Sequence, residues 1–406
     1  VRTFGNDTDV VIENALEYMR AAKENNIAVS IKHFPGDGVD ERDQHILTSV
    51  NSLSIKEWDK TFGKVYKRLI DADALTVMAG HIAMPAYQEY FNPSAKRKMI
   101  PATLSKELLN NLLREKLGFN GLIVTDATPM VGFTSAMERE KSIPYAIECG
   151  CDMILFNKDL DEDFEFMRRG IETGILSKKR LADANRRTLA TKATLKLHIN
   201  QKNMQLIPSK KELKILKNKQ HIDWAYELAD QAITLVKDTQ SLLPITPDKQ
   251  KRILLQVIGD FPSNERVMKV LKSELENRKF DVIVYEPEDF SKGVDNVTDI
   301  KNKYDLVFYI GNIENASNKT TNRLNWYTFF GQGNNIPWFV KEVPTLFASI
   351  GNPYHLFDVP MMETYINGYA NNDYVLEMLI KKVVGESKFK GKNPINPFCG
   401  REDLAY

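Results

Sequence analysis

Short apolar runs and longer helical patterns alternate along the first half of the chain. Apolar runs occupy 27–31 (IAVSI), 74–79 (ALTVMA), 121–125 (GLIVT) and 151–156 (CDMILF). Each is too short for a helix and too continuously apolar for a half-exposed strand, so each reads as a strand buried on both faces. Between them, 8–25 carries Val11, Ala15, Met19 and Ala22 three or four residues apart, the spacing of a helix with one buried face. The segment 54–71 repeats the pattern with Trp58, Phe62, Val65 and Leu69, after a Ser54–Glu57 capping-box pair. A third helix, 105–117, stops at Gly118. Repeated β–α–β at this spacing predicts a parallel sheet covered by helices.

The second half alternates again. Strand-like runs lie at 252–258, 280–285, 305–310, 345–350 and 363–368, with helical patterns at 265–278 and 373–384. This predicts a smaller α/β domain of about five strands. Between the halves, 201–220 is Lys-rich and contains Pro208, the composition of a solvated connector. The expected domains are 1–200 and 226–406, joined by a connector at 201–225. There is no GxGxxG and no Walker-type loop, so nucleotide binding has no support.

Composition narrows the function classes. The 406 residues carry 55 Lys+Arg against 54 Asp+Glu, a net charge of +1. That balance gives no electrostatic footprint for nucleic acid. No apolar run approaches the ~20 residues of a membrane-spanning helix. Three cysteines are too few for a disulfide scaffold. Cys149 and Cys151 border a buried strand and have the wrong spacing for a zinc knuckle; with no HExxH and no CxxC, metal chemistry has little support.

Polar and titratable residues collect where the strands end. Ile31 runs into Lys32 and His33, Ala79 into Gly80 and His81, and Thr125 into Asp126. Parallel α/β folds place their active sites after the carboxyl ends of the strands. Lys32 and His33 offer several donors to one ligand, or are incidental to a strand-to-loop turn. Asp43 and His45 lie two apart, and in an extended segment such residues point to one side. The carboxylate then orients the imidazole, as in hydrolase triads, or the pair is a chance D-x-H in a surface loop. Asp126 at the mouth of a buried strand is costly unless used or paired, although Asp also serves as a helix N-cap. His81 either lines the same mouth or is a satisfied core residue.

Taken together, KHFPGDG at 32–38, the D-x-H that follows, and FNGLIVTDATPM at 119–130 resemble glycoside hydrolase family 3. The D-x-H in the loop after KHFPG resembles that of the bacterial β-N-acetylglucosaminidase (β-N-acetylhexosaminidase) branch. Arg2-Thr3-Phe4-Gly5 resembles the family's R-S-F-G segment, and AGHIAMPAY at 79–87, PATLSKELLNNLLREKLGFNG at 101–121 and SIGNPYHL at 349–356 resemble its two-domain form, typical of Gram-positive bacteria. The resemblance implies a retaining double displacement on GlcNAc-terminated glycans, such as peptidoglycan fragments or chitin oligosaccharides. Asp126 matches the nucleophile, His45 the acid/base and Asp43 its dyad partner, while Lys32, His33 and Arg2 match sugar-hydroxyl ligands, with His81 at the same mouth. It implies no cofactor or metal and leans towards the cell envelope or exterior.

Two departures from the family pattern stand out. Its usual His in PGHG is Asp37 here, expected to be a loop change of modest effect. The family's catalytic domain is a (β/α)₈ barrel, whereas only four strands precede the connector, and Arg2 and KHFPG lie midway round the family's barrel. The expected fold is therefore the C-terminal half of a TIM barrel followed by a smaller α/β/α sandwich, with the first half-barrel as an expected missing partner and weak or no activity in isolation. Two other readings stand beside this one: a β-glucosidase or β-xylosidase of the same family, and an inactive remnant that binds glycans.

Overall fold

The computed structural model describes residues 3–95, 99–259, 263–285, 296–326, 328–329, 332–333 and 335–406. The chain divides into two compact units. The first comprises Thr3–Ser209 with Ser317–Thr320, and the second comprises Lys210–Ala316 with Thr321–Tyr406. Among the described residues, no helix is long and apolar enough to cross a membrane.

In the first unit, β1 (Ser30–Phe34), β3 (Thr76–Ala79) and β5 (Leu122–Thr125) form a parallel sheet in that order. Two short strands, β2 (Ser49–Val50) and β4 (Ile82–Ala83), pair in parallel beside it. The helix Thr8–Glu24 is capped by the Asp7 carboxylate, which accepts from the N–H groups of Asp9 and Val10. The Ser54–Glu57 capping box forms in full. The third helical pattern becomes Glu107–Lys116, wound with the wider π-type turn, and its Leu108, Leu109, Leu112 and Leu113 are all buried. Gly118 ends this segment at φ +77°, a conformation glycine adopts at little cost.

Two strands differ from the sequence expectation. The first ladder begins at Ser30 rather than 27 and runs to Phe34, with a register irregularity between Ile31 and Phe34. The fourth run, 151–156, makes a single parallel bridge, Val124 to Met153. Main-chain bonds remain from Thr125 N–H to Met153 O and from Asp152 N–H to Ile123 O, and side chains add to them. The Asp152 carboxylate accepts from Ile123 N–H at 2.8 Å, and Thr125 Oγ1 accepts from Leu155 N–H at 3.0 Å. The apolar pattern thus located the chain position but not the loss of regular pairing. Four parallel positions result, half the eight of a closed (β/α)₈ barrel.

The second unit is built on a six-stranded sheet: β6 (Thr234–Asp238), β7 (Arg252–Gly259), β8 (Asp281–Val284), β9 (Leu306–Asn312), β12 (Thr345–Ser349) and β13 (Thr364–Asn367). A separate two-strand pair, β10 (Thr328–Phe329) and β11 (Gln332–Gly333), lies between β9 and β12 in sequence. The sheet order is β6-β13-β12-β9-β7-β8, parallel except for β6. The sequence pattern anticipated the five parallel strands and missed β6, in which only Thr234 and Lys237 are buried. Alternate residues feed two cores. Ile253, Leu255, Phe308 and Leu346 pack with Leu271 and Leu379 from two helices, whereas Leu254, Val307, Tyr309 and Phe347 face Ile300 and Val359 on the opposite side. Burial of both faces is why these strands read as continuous apolar runs. The arrangement is an α/β/α sandwich.

Candidate active site

The carboxyl ends of β1 and β5 bring His33, Asp37 and Asp126 together. The chain after β1 is pinned before any of them acts. Trp58 Nε1 donates to Pro35 O at 2.7 Å, and Asn51 Nδ2 donates to Gly36 O at 3.2 Å. Gly36 stands at φ +132°, and a Cβ there would lie 2.3 Å from the Phe62 ring, so any other residue would be strained and would displace that ring. The Lys32–His33 and Phe34–Pro35 peptides are cis.

His33 lies between two carboxylates. Its Nδ1 lies 3.2 Å from Asp37 Oδ2 and its Nε2 lies 3.6 Å from Asp126 Oδ2. Asp37, read from sequence as a modest loop change, is thus the residue against which the His33 ring rests. Lys32, on the same strand, is exposed. Asp126 is nearly buried, with Oδ1 accepting the Ala127 N–H at 2.8 Å while Oδ2 faces His33. Its own N–H is bonded to Ala79 O, so the carboxylate is carried on the end of a sheet rung.

Asp43 and His45 meet as expected, but by a different local geometry. Residues 43–47 form a tight turn rather than an extended segment: the N–H groups of Ile46 and Leu47 both bond to Asp43 O. Asp43 Oδ1 accepts from His45 N–H at 3.0 Å, an Asx turn, and contacts His45 Nδ1 at 2.7 Å. The contact assigns the proton of the neutral ring to Nδ1 and leaves Nε2 for another partner. Asp43 Oδ2 accepts the N–H of Asn318, in the segment Ser317–Thr320, at 2.6 Å. Partial burial acts to raise the Asp43 pKa, but the His45 and Asn318 hydrogen bonds outweigh it and hold the carboxyl below its ordinary value.

His81 does not line the mouth. It is fully buried, with Nδ1 3.0 Å from Thr103 Oγ1 and Nε2 2.9 Å from Ala127 O. A carbonyl only accepts, so Nε2 carries the proton and Nδ1 accepts from the threonine hydroxyl. Both nitrogens are used, which corrects the expectation of a sugar contact: His81 supports the loop that carries Asp126. Burial pushes its pKa down to about 4, opposed in part by the Ala127 hydrogen bond and the Asp126 charge. The neighbouring His33 and His45 push it the same way as burial. Arg2 lies outside the described residues. Among the described residues, no group of three or more His, Cys, Asp and Glu side chains is placed to hold a metal ion.

The site therefore combines a nearly buried carboxylate, an imidazole beside it and a separate Asp–His pair. The sequence reading missed the linking residues Gln44, Thr103, Gly132 and Asn318. Gln44 was visible inside the D-Q-H triplet, and the others carried no sequence signal.

The description "Glycosyl hydrolase family 3 N terminal domain" matches residues 1–191. A Beta-N-acetylglucosaminidase/beta-glucosidase of Cellulomonas fimi is 42% identical over 410 aligned residues, covering 99% of this chain and 72% of that protein. The chain belongs to glycoside hydrolase family 3. This family 3 protein is also 31% identical over 154 residues to a beta-hexosaminidase of Vibrio cholerae, covering 38% of the chain and 43% of the relative. Among solved structures, Beta-glucoside phosphorylase BglX superimposes with a TM-score of 0.93 at 41% identity, covering 99% of this chain and 72% of that one. A family 3 β-N-acetylglucosaminidase from Paenibacillus sp. str. FPU-7, at 20% identity and a TM-score of 0.76, shares the fold.

Proposed function

We propose that this family 3 site removes a terminal β-linked N-acetylglucosamine by a retaining double displacement. The observation that carries the reading is the 2.7 Å contact between Asp43 and His45, which leaves Nε2 of an oriented imidazole for proton transfer. In the first step the Asp126 carboxylate attacks the anomeric carbon and the C1–O bond breaks. His45, protonated on both nitrogens, gives its Nε2 proton to the departing oxygen while Asp43 holds Nδ1. In the second step neutral Nε2 takes a proton from water, which displaces Asp126 and releases the sugar. Lys32, His33 and Arg2 are the proposed ligands of the sugar hydroxyls. The reading is tested with an activated 2-deoxy-2-fluoro glycoside, expected to leave a covalent adduct on the peptide carrying Asp126. An adduct on another residue, with Asp126→Ala still turning over, overturns it.

A second reading keeps the first step and changes the acceptor and the sugar. Likeness to a beta-glucoside phosphorylase, at 41% identity, favours phosphate as the acceptor and glucose as the glycosyl group. The physical argument is charge. A deprotonated imidazole is neutral, whereas a deprotonated carboxylate base repels an incoming anion. Product analysis separates the two: free sugar independent of phosphate supports hydrolysis, and glycosyl phosphate rising with phosphate supports transfer.

A further inference from the structure

Gln44 lies between Asp43 and His45, yet its residue is only 2% exposed. Both ends of its amide are bonded. Nε2 donates to Asp37 Oδ2 at 3.3 Å, and Oε1 accepts the main-chain N–H of His81 at 2.8 Å. The first partner is the carboxylate against which the His33 ring rests. The second is main chain just beyond β3. A buried amide with both ends used has a single orientation, and so fixes the loop that bears it.

The same loop is seated from its other side. Val131 N–H donates to His45 O at 2.9 Å, and Thr48 Oγ1 donates to Gly132 O at 2.8 Å. A Cβ on Gly132 would lie 2.5 Å from Gln44 O and 2.7 Å from Leu47 O, so the loop rests against bare backbone. These contacts attach residues 43–48 to the short helix Val131–Thr134, which begins five residues after Asp126.

We infer that Gln44 and Gly132 are positioning residues that seat the 43–48 loop, and so fix His45 Nε2 relative to Asp126. The inference rests on the reading of Asp43 and His45 as the acid/base pair. Neither residue touches the reacting atoms. Their effect falls on proton transfer, and it is greatest where the leaving group needs a proton.

Two variants of the full chain test it, each compared with His45→Ala. Gln44→Met keeps the volume and removes both hydrogen bonds. Gly132→Ala pushes on the loop from the opposite side. kcat/KM is measured on a 4-nitrophenyl and on an alkyl β-N-acetylglucosaminide, with hydrogen exchange followed at 43–48. Both variants are expected to lose about 10²-fold on the alkyl glycoside, the cost of an ångström-scale misplacement. Loss on the nitrophenyl glycoside is expected to stay under about tenfold, because that leaving group departs without a proton. Exchange at 43–48 quickens while β3 and β5 are unchanged. Equal losses on both substrates, or rates and exchange like the parent's, overturn the inference. Should Gln44→Met not fold, Gly132→Ala decides. If His45→Ala itself shows no dependence on the leaving group, the acid/base reading fails instead.

Discussion

Asp43 Oδ1 lies 2.7 Å from His45 Nδ1 and 3.0 Å from the His45 main-chain N–H, so one carboxylate oxygen holds both the ring and the backbone of the same residue. The turn that brings them together is capped by the residue that orients the imidazole.

Asp43→Ala should therefore lower kcat on unactivated glycosides by about 10²–10³-fold, within the range for a positioned acid/base group. The pH dependence has a definite sign. Because the folded Asp43 pKa lies below the ordinary value, its ionised form contributes stability that is present above the unfolded pKa and lost as pH falls through the folded one. The acid limb of a kcat/KM profile that reports Asp43 in the free enzyme should fall below the ordinary carboxylate range, and a pH–rate profile checks it.

Asp37→Ala should act on sugar binding. Asp37 holds His33 at 3.2 Å, and His33 faces Asp126 at 3.6 Å. A hydrogen bond to a charged group contributes about 1.5–3 kcal/mol, so KM should rise by about 10–100-fold as the His33 ring loses its orientation. Steady-state kinetics that show an unchanged KM would remove Asp37 from the site.

His81 predicts a stability effect at mildly acid pH. It is buried and neutral, with a folded pKa of about 4 against 6.5 for the unfolded chain. Between those values the unfolded state binds the extra proton, so stability falls as pH drops from 6.5 towards 4. His81→Gln should flatten that slope by up to one proton. Denaturant midpoints measured across the window test this.

The Asp152 carboxylate is fully buried and accepts from Arg114 at 2.6 Å, Arg180 at 2.6 Å and Ile123 N–H at 2.8 Å. Asp152→Asn removes the charge that compensates two mostly buried guanidinium groups. Breaking a buried pair from one side costs about 3–5 kcal/mol. Urea unfolding should report a loss of that order, with the spectroscopic signature of the second unit unchanged.

Much of this protein was legible in the chain itself. Continuous apolar runs located β3, β5 and the five parallel strands of the second unit, because a strand buried on both faces must be apolar at every position. The run at 27–31 and that of β5 lead into Lys32-His33 and into Asp126; the fold extends the first strand through both residues to Phe34, leaves Lys32 exposed and sets the His33 ring 3.6 Å from Asp126. The D-x-H triplet marked the pair but not its geometry, since an extended strand and an Asx turn can carry the same letters. Tertiary structure alone decided that His81 is a support, that Asp37 holds His33, and that Gln44, Gly132 and Asn318 fix the loop and its carboxylate. Such relationships join residues from 4 to 275 positions apart, and the donors at 131 and 318 are main-chain N–H groups. A backbone donor is present at every non-proline residue, so its importance lies in where the fold puts it and leaves no trace in the side-chain pattern.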